Sequence, residues 1–207
     1  MTRKSNIAFE NWKEPSEDVV KNFTNVFDIC FHIDEEELKE LFEDHNKLME
    51  DTISLRVRRL NALYHTHLWK KHITEIVRFL HKTGIDFEKR ILSGDLAVIK
   101  ELADRKDRNC FVFATKYCSF VNPDEYPIFD SLVGKVLKHF HERKPLVEGA
   151  LDCEKIRLNY EYEKYKELIN EFRTQYGLED CPYKEIDKFL WLVGKNVRNI
   201  DLSRLST

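Results

Sequence analysis

The sequence predicts an all-α protein, a compact multi-helix domain of about eight to ten helices spanning residues 1–207. Glycine and proline are scarce, with six and five among 207 residues, whereas the tight turns of β-proteins need both. Apolar residues recur at helical spacing along most of the chain. Hydrophobic residues make up 42% of the sequence, which is enough to bury a core in a chain of this length.

The N-terminal part predicts an arm followed by two helices. Residues 1–15 contain two isolated aromatic residues and are expected to form an arm that docks on the body. Ser16 can cap a helix whose apolar stripe covers residues 19–31. Asp34 is expected to cap a second helix, and the acidic residues between 34 and 51 are interpreted as its solvated face.

The segment 52–84 predicts two helices, with a break at residues 65–67 and an end at Gly84. Short helices are expected at 86–92 and 95–103, followed by a charged link. The basic residues on the outer faces of 52–84 could present positive charge to phosphates, or they could form an ordinary solvated surface.

The most apolar stretch of the chain, residues 110–121, predicts a buried helix that carries one lysine, Lys116. Two prolines then end the helix and impose an extended connector at 122–129, because proline cannot continue the hydrogen-bond ladder. Asp130 stands at the expected N-cap of the next helix. Beyond that helix, the sequence predicts a charged helix ending near Gly177 and a last helix at 183–194.

Composition excludes several classes of protein. The net charge of −3 argues against a protein coated in basic surface, although the charge is unevenly distributed. The five cysteines are odd in number and form no CxxC pair, so a reduced, cytoplasmic protein fits best. No apolar run approaches the ~20 residues of a membrane helix. Two His-x-His pairs without a matching carboxylate are weak signals, so we expect no metal and no cofactor.

Lys116 and Asp130 are the residues whose setting suggests chemistry. The neighbours of Lys116 on a helix are mostly apolar, and burial favours the neutral amine of a lysine, which can attack a carbonyl-like carbon to form a Schiff base. The alternative is a lysine at the helix edge whose head group reaches water. A capping carboxylate at Asp130 can stabilise a nearby cation, although its position taken alone favours a plain structural cap.

The order of these residues resembles the helix-hairpin-helix superfamily of DNA glycosylases, and specifically its divergent branch of 8-oxoguanine DNA glycosylase-like bacterial proteins. An apolar helix with F-x-T-K is followed by a proline-bearing loop and by I-x-D-S-x-V at the start of a helix. The match covers about 25 residues closely. The matching residues are Phe113, Thr115, Lys116, Ile128, Asp130, Ser131 and Val133.

The resemblance implies that Lys116 attacks the sugar of a damaged nucleotide and that Asp130 assists it. It also implies a double-stranded DNA partner and a pocket for an extruded base in a cleft between residues 55–67 and 110–140. For that pocket the sequence offers Asn61, Tyr64, His65 and His67 near the helix break, although each could instead be an ordinary structural residue. Candidate DNA contacts are Arg56, Arg59, Arg108, Asn109, Lys135 and Lys138.

One feature of the family pattern is missing from this sequence. The glycine-rich hairpin that precedes the lysine in the superfamily, and grips a DNA phosphate through its backbone amides, is replaced by KDRNCFVFATK. Lys106, Arg108 and the amide of Asn109 are the substitutes that this segment offers. The missing glycines favour the alternative function, a non-catalytic helical module of a bacterial accessory system that binds nucleic acid or protein.

Overall fold

A computed structural model describes residues 14–43 and 48–195, and nine helices lie within these ranges. Most of the described residues are helical, so the all-α prediction is confirmed. The helices are α1 Glu17–Glu43, α2 Glu50–Leu63, α3 Lys70–Leu92, α4 Ala97–Ala103, α5 Phe111–Val121, α6 Ser131–Arg143, α7 Cys153–Leu158, α8 Tyr162–Tyr176 and α9 Tyr183–Gly194. A two-stranded antiparallel hairpin, β1 Asp104–Arg105 and β2 Arg108–Asn109, joins α4 to α5. Residues 1–13 of the predicted N-terminal arm lie outside the described ranges.

The N-terminal boundaries differ from the prediction at one point. Helix α1 continues through position 34, so the predicted helix start at Asp34 is wrong. Residues 32–43 contain neither glycine nor proline and are rich in glutamate and leucine, which favour helix, so nothing in the segment interrupts the hydrogen-bond ladder. One aspartate among strong helix formers is not a sufficient signal for a boundary.

The break between α2 and α3 agrees with the prediction. Two residues of the connecting loop, His65 and His67, have φ angles of 46° and 56°, in the left-handed region that a helix cannot contain. At Gly84, where a helix end was predicted, α3 kinks sharply with φ 55° and ψ −140° and then continues to Leu92. The hairpin of β1 and β2 and the short helix α7 were not predicted.

Helix α5 lies at the centre of the core. All of its residues except Val112 are buried, which explains why the helix is apolar on every side. It packs against α1, α2, α3 and α4, and the hydrophobic core that surrounds it contains residues from all nine described helices. A lysine in this helix is therefore surrounded by protein.

The connector between α5 and α6 is held by side chains, because its prolines and extended backbone leave carbonyl groups without a ladder partner. Two tyrosine hydroxyls of α8 donate hydrogen bonds to consecutive carbonyls, from Tyr162 to Pro127 at 2.8 Å and from Tyr165 to Ile128 at 2.6 Å. On the opposite side, the amide of Phe129 donates to the hydroxyl of Thr115 on α5 at 3.2 Å. These bonds fix the chain just before Asp130.

Helix α9 packs closely against α6 and α1. A Cβ atom on Gly194 would lie 2.9 Å from Cβ of Leu132, so only glycine allows this approach of α9 to α6. The close contact places the C-terminal end of α9 against the start of α6. None of the described helices is long and apolar enough to cross a membrane.

Candidate active site

The amine of Lys116, in the middle of α5, meets the carboxylate of Asp130 at the start of α6. Nζ of Lys116 lies 3.3 Å from Oδ2 of Asp130, and the two side chains are 4% and 18% exposed. The other oxygen, Oδ1, accepts a hydrogen bond of 2.8 Å from the amide of Leu132. The predicted N-cap is therefore confirmed, and the amine of Lys116 does not reach bulk water.

Two aromatic rings lie beside this ion pair. The amine of Lys116 is 4.5 Å from the ring centroid of Tyr64, in the loop after α2, and the Tyr64 ring contacts the ring of Phe120 at 5.8 Å. The amine of Lys184, on the first turn of α9, lies 4.0 Å from the centroid of Phe120. Two lysine amines thus flank a pair of touching rings. In this arrangement, electrostatic attraction to the ring quadrupole stabilises each ammonium group.

Lys184 belongs to a second group of charged side chains that the sequence did not point to. Its amine is buried and has no hydrogen-bond partner among the described residues, and Oε1 of Glu35 lies 3.9 Å away. Glu35 is itself buried and pairs more closely with Lys188, at 2.9 Å, which also pairs with Asp28 at 2.6 Å. The interpretation of the acidic residues after position 34 as a solvated face is therefore wrong for Glu35.

Burial shifts the protonation of two residues of α9. The pKa of Lys184 falls to about 8 because burial disfavours the ammonium ion, although Glu35 and Asp187 act in the opposite direction. The pKa of Asp187 rises to about 7 because burial disfavours the carboxylate, although Lys184 and Lys116 oppose the rise. The site thus combines two lysines with a carboxyl group that changes charge near neutral pH.

The loop after α2 contains the four residues predicted for a base pocket, and the structure gives them different roles. The Asn61 side chain shapes the loop, since its Oδ1 accepts from the Thr66 hydroxyl at 2.7 Å and from the Leu68 amide at 2.8 Å. His65 and His67 are exposed. Of the four, Tyr64 is the residue that contacts the Lys116 amine.

Arg56 was predicted as a phosphate contact, and this prediction is wrong. Its side chain is fully buried, its Nε donates to the Leu41 carbonyl at 2.7 Å, and its Nη1 pairs with Glu88 at 3.2 Å. The guanidinium also lies over the ring of Phe42 at 4.9 Å. Arg56 is a core residue that joins α1, α2 and α3.

The other predicted DNA contacts differ in their exposure and in their hydrogen-bond partners. Arg59 is 60% exposed and lies 3.8 Å from Glu37, and Lys135 and Lys138 are exposed on α6. Arg108 donates to the Thr66 carbonyl at 3.5 Å, which ties the hairpin to the loop after α2. The side chain of Asn109 is occupied within the protein, donating to the Arg157 carbonyl at 2.8 Å and accepting from the Phe111 amide at 2.9 Å.

Sequence reasoning missed Lys184, Asp187 and Glu35. The available signal was the position of Asp187, which directly follows the apolar stripe residue Ile186 and so lies at the edge of the buried face of α9. Within residues 14–43 and 48–195, no group of three or more His, Cys, Asp or Glu side chains is arranged to hold a metal ion.

Comparison with known proteins gives the chain a family. A family model named HI_0787_N, described as an N-terminal domain, matches residues 8–125, a segment that includes Lys116 and ends before Asp130. The chain is 34% identical over 142 residues to an uncharacterized protein of Haemophilus influenzae, and the aligned part covers 66% of this chain and 63% of the relative. No solved structure matches the chain. Since the family model spans more than half of its residues, the protein belongs to the HI_0787_N family.

Proposed function

We propose that the protein binds double-stranded DNA and excises an oxidised or otherwise modified base through a Schiff base on Lys116. The observation that carries the proposal is the pairing of a buried amine with a capping carboxylate, at 3.3 Å, beside the ring of Tyr64. Burying the ammonium group of a lysine costs several kcal/mol of solvation free energy, and buried titratable groups cluster at functional sites. Lys116 is therefore a candidate for a catalytic residue. The proposed reaction class is glycosidic cleavage followed by elimination at the sugar.

The proposed reaction needs no cofactor. The neutral amine of Lys116 attacks C1′ of the damaged nucleotide, and the bond from C1′ to the base breaks with its electron pair leaving on the base. One proton of the attacking amine passes to the departing base and the other to O4′ as the sugar ring opens, which leaves an imine between C1′ and Lys116. The carboxylate of Asp130, held in direction by the Leu132 amide, stabilises the positive charge that develops at C1′.

The order of elements around the lysine supports the same proposal. Helix α4, the hairpin of β1 and β2, and α5 follow one another in the order that a helix-hairpin-helix unit requires, and α4 packs against α5. Lys106 is exposed in the turn of the hairpin and can contact a phosphate in place of the missing glycine amides. The ring of Tyr64 covers the amine, so an extruded base would meet an aromatic surface next to the nucleophile.

Borohydride trapping tests the chemistry directly. We expect the wild-type protein to form a covalent adduct with duplexes that carry an oxidised purine or an abasic site, because borohydride reduces the imine to a stable amine. Lys116→Gln should abolish the adduct, and Asp130→Asn should reduce its rate by about 10²-fold or more, as the loss of a charge-stabilising group does elsewhere. The adduct is read on a denaturing gel, and peptide mass spectrometry identifies the modified residue.

Lys164→Gln is the matched control for trapping, since Lys164 is an exposed lysine that pairs with Glu161. It should trap at the wild-type rate. An adduct that survives Lys116→Gln, or no adduct across a panel of lesions, would contradict the lyase proposal.

DNA binding makes a separate prediction for the exposed face of α6. The double substitution Lys135→Glu with Lys138→Glu should weaken binding to any duplex by about tenfold or more. It should also lower the slope of log Kd against log salt concentration by about two. Fluorescence anisotropy at several salt concentrations measures both quantities. Lys164→Glu serves as the charge-reversal control, and equal effects of the two changes would argue against a specific role for α6.

A non-catalytic binding module is the second candidate. The observation that favours it is the nearly complete burial of the Lys116 amine, which a purely structural ion pair would also show. Binding to duplex DNA without trapping would support a nucleic-acid module. Absence of both binding and trapping would favour a protein partner.

A further inference from the structure

The first turn of α3 contains hydrogen-bond donors that no described residue satisfies. Helix α3 begins at Lys70, and the side chain of its N-cap residue, Trp69, accepts no capping hydrogen bond, because an indole is a donor only. The amides of Lys70 and Lys71 therefore have no acceptor in the part of the chain that the structure describes. Within the same ranges, both ring nitrogens of His72 lack a partner, although this residue is only 3% exposed. Since a helix start with free amides is a natural anion site, this turn is suited to a ligand with a phosphate group.

Positive charges lie close to the His72 imidazole. Burial lowers the pKa of His72, and the positive charges of Lys71 and Arg108 lower it further. Glu75 and Asp107 act in the opposite direction, and the Asp107 carboxylate pairs with the Lys71 amine at 2.9 Å. The cations add to the positive end of the α3 dipole, which also favours an anion.

Trp69 adds an exposed aromatic ring at the same helix start. Its side chain is 66% exposed, although an aromatic residue of this size is usually buried for the most part. The His72 ring lies 5.9 Å from the Trp69 ring at an interplanar angle of 31°, and the Lys71 amine lies 6.0 Å from the ring centroid. Exposed aromatic rings beside cations are the surfaces on which the bases of nucleic-acid strands stack.

The loop before α3 connects this helix start to the ring that contacts Lys116. Four residues separate Trp69 from Tyr64, whose ring centroid lies 4.5 Å from the Lys116 amine. A chain of this length spans at most about 18 Å, which a few nucleotides can also span. The Asn61 side chain bonds to both the amide and the carbonyl of Leu68, at 2.8 and 3.4 Å, and so fixes the residue before the N-cap.

We propose that the start of α3 binds one nucleotide of a DNA strand, with its phosphate on the amides of Lys70 and Lys71 and its base stacked on Trp69. The inference rests on the proposed function and narrows its substrate class. A base can stack on an exposed ring only when it has left the duplex stack, so the preferred substrate is DNA with an unpaired nucleotide near the lesion. When the Trp69 ring turns onto that base, the His72 imidazole beside it becomes accessible to the same phosphate. Helix α3 thereby supplies the backbone amides that the hairpin before α5 lacks.

Proline at position 70 tests the contribution of the amides. Proline is tolerated at the first position of a helix, and the extended backbone of Trp69, with φ −78° and ψ 160°, suits a following proline. Lys70→Pro removes an amide hydrogen together with the lysine side chain, whereas Lys70→Ala removes the side chain alone. In fluorescence anisotropy with a duplex that carries one unpaired nucleotide, Lys70→Pro should bind about tenfold more weakly than Lys70→Ala.

Glu50→Pro is the matched control for this change. Glu50 is the first residue of α2, and its N-cap residue, Met49, is also extended and makes no capping hydrogen bond with its side chain. It lies at the end of α2 that is remote from the loop, so Glu50→Pro should bind DNA as wild type does. Equal binding by Lys70→Pro and Lys70→Ala would overturn the inference.

Trp69 variants test the stacking without changing the helix start. Wild type should bind the duplex with one unpaired nucleotide about tenfold more tightly than a fully paired duplex, and Trp69→Ala should lose this preference. Trp69→Phe should keep most of it, since it retains an aromatic face. Leu158→Ala, which truncates another exposed apolar side chain, should keep all of it. No preference in wild type, or a preference that Trp69→Ala retains, would contradict the stacking role.

Nuclear magnetic resonance reads His72 directly. In protein labelled with nitrogen-15 at histidine, the ring signals of His72, assigned from the spectrum of His72→Phe, should shift at saturating DNA, because a nitrogen without a partner gains one. The signals of His81, exposed further along α3, should stay in place. A His72 spectrum that DNA leaves unchanged would count against the site.

These measurements distinguish failure of the inference from failure of the proposed function. Borohydride trapping by wild type, without an effect of Lys70→Pro or Trp69→Ala on binding, would reject the nucleotide site and leave the proposed function intact. Binding with both expected effects, but without trapping on any lesion, would reject the Schiff-base chemistry while the nucleotide site stands.

Discussion

Replacement of Asp130 with alanine should lower the free energy of unfolding by about 3 kcal/mol. The substitution leaves the ammonium group of Lys116 buried without its partner, since the side chain of Lys116 is only 4% exposed. It also removes the cap of α6, which is worth ~1 kcal/mol. Urea unfolding at pH 7, followed by circular dichroism, measures the change.

Two further variants separate the charge from the cap. Asp130→Asn keeps an oxygen that can accept from the Leu132 amide, so it should cost about 2 kcal/mol, the contribution of the unpaired ammonium alone. Combining Asp130→Asn with Lys116→Met removes both charges and should recover most of the loss, because an apolar side chain fits among the apolar neighbours of α5. A cost below ~1 kcal/mol for Asp130→Ala would mean that the pair is no stronger than an exposed salt bridge.

Replacement of Glu88 with alanine should be still more damaging, by about 3–5 kcal/mol. Arg56 and Glu88 are both essentially absent from the surface, so the substitution leaves a guanidinium group in the core. The bond from Arg56 to the Leu41 carbonyl and the contact with the Phe42 ring remain, but neither neutralises the charge. The midpoint of thermal or urea unfolding measures the loss.

Glu101→Ala is the control for this comparison. Glu101 also pairs with an arginine, Arg90, but its side chain is 43% exposed, so its loss should cost less than ~1 kcal/mol. Similar losses in the free energy of unfolding for Glu88→Ala and Glu101→Ala would show that burial of an ion pair does not determine its contribution to stability.

The sequence predicted the parts of this site that depend on local patterns. An apolar helix with one lysine, a connector with two prolines and an aspartate at the next helix start are all signals within a few residues, and the structure contains each of them. Most helix boundaries were likewise predicted from signals within a few residues. Gly177, for example, ends α8 in the left-handed conformation that glycine adopts most easily.

The parts that failed depend on contacts between distant segments. In the sequence, the leucines at 55, 60 and 63 indicate an inner face of this helix that leaves Arg56 outside it. The buried stripe is Ile53, Arg56, Val57 and Leu60, and Leu55 is 44% exposed. The buried arginine pairs with Glu88, 32 residues later, and spacing along one helix contains no information about that partner.

The same reason explains why Lys184 and Asp187 were not predicted. Both lie on a helix whose apolar stripe was recognised, but their effect depends on Lys116 and Glu35, which are more than 60 residues away in the chain. Charged residues beside a stripe usually face water. In the fold, the amine of Lys184 is instead buried, near the ring of Phe120 and the carboxylate of Glu35.

The tyrosine hydroxyls of α8 affect the order in which the site can form during synthesis. A nascent chain that has emerged as far as Asp130 contains both members of the ion pair, but the groups that fix the preceding carbonyls, Tyr162 and Tyr165, lie 35 and 37 residues downstream of their acceptors. The connector cannot take its final conformation until α8 has left the ribosome and docked. The lysine-bearing helix is therefore made early, and the carboxylate reaches its place late.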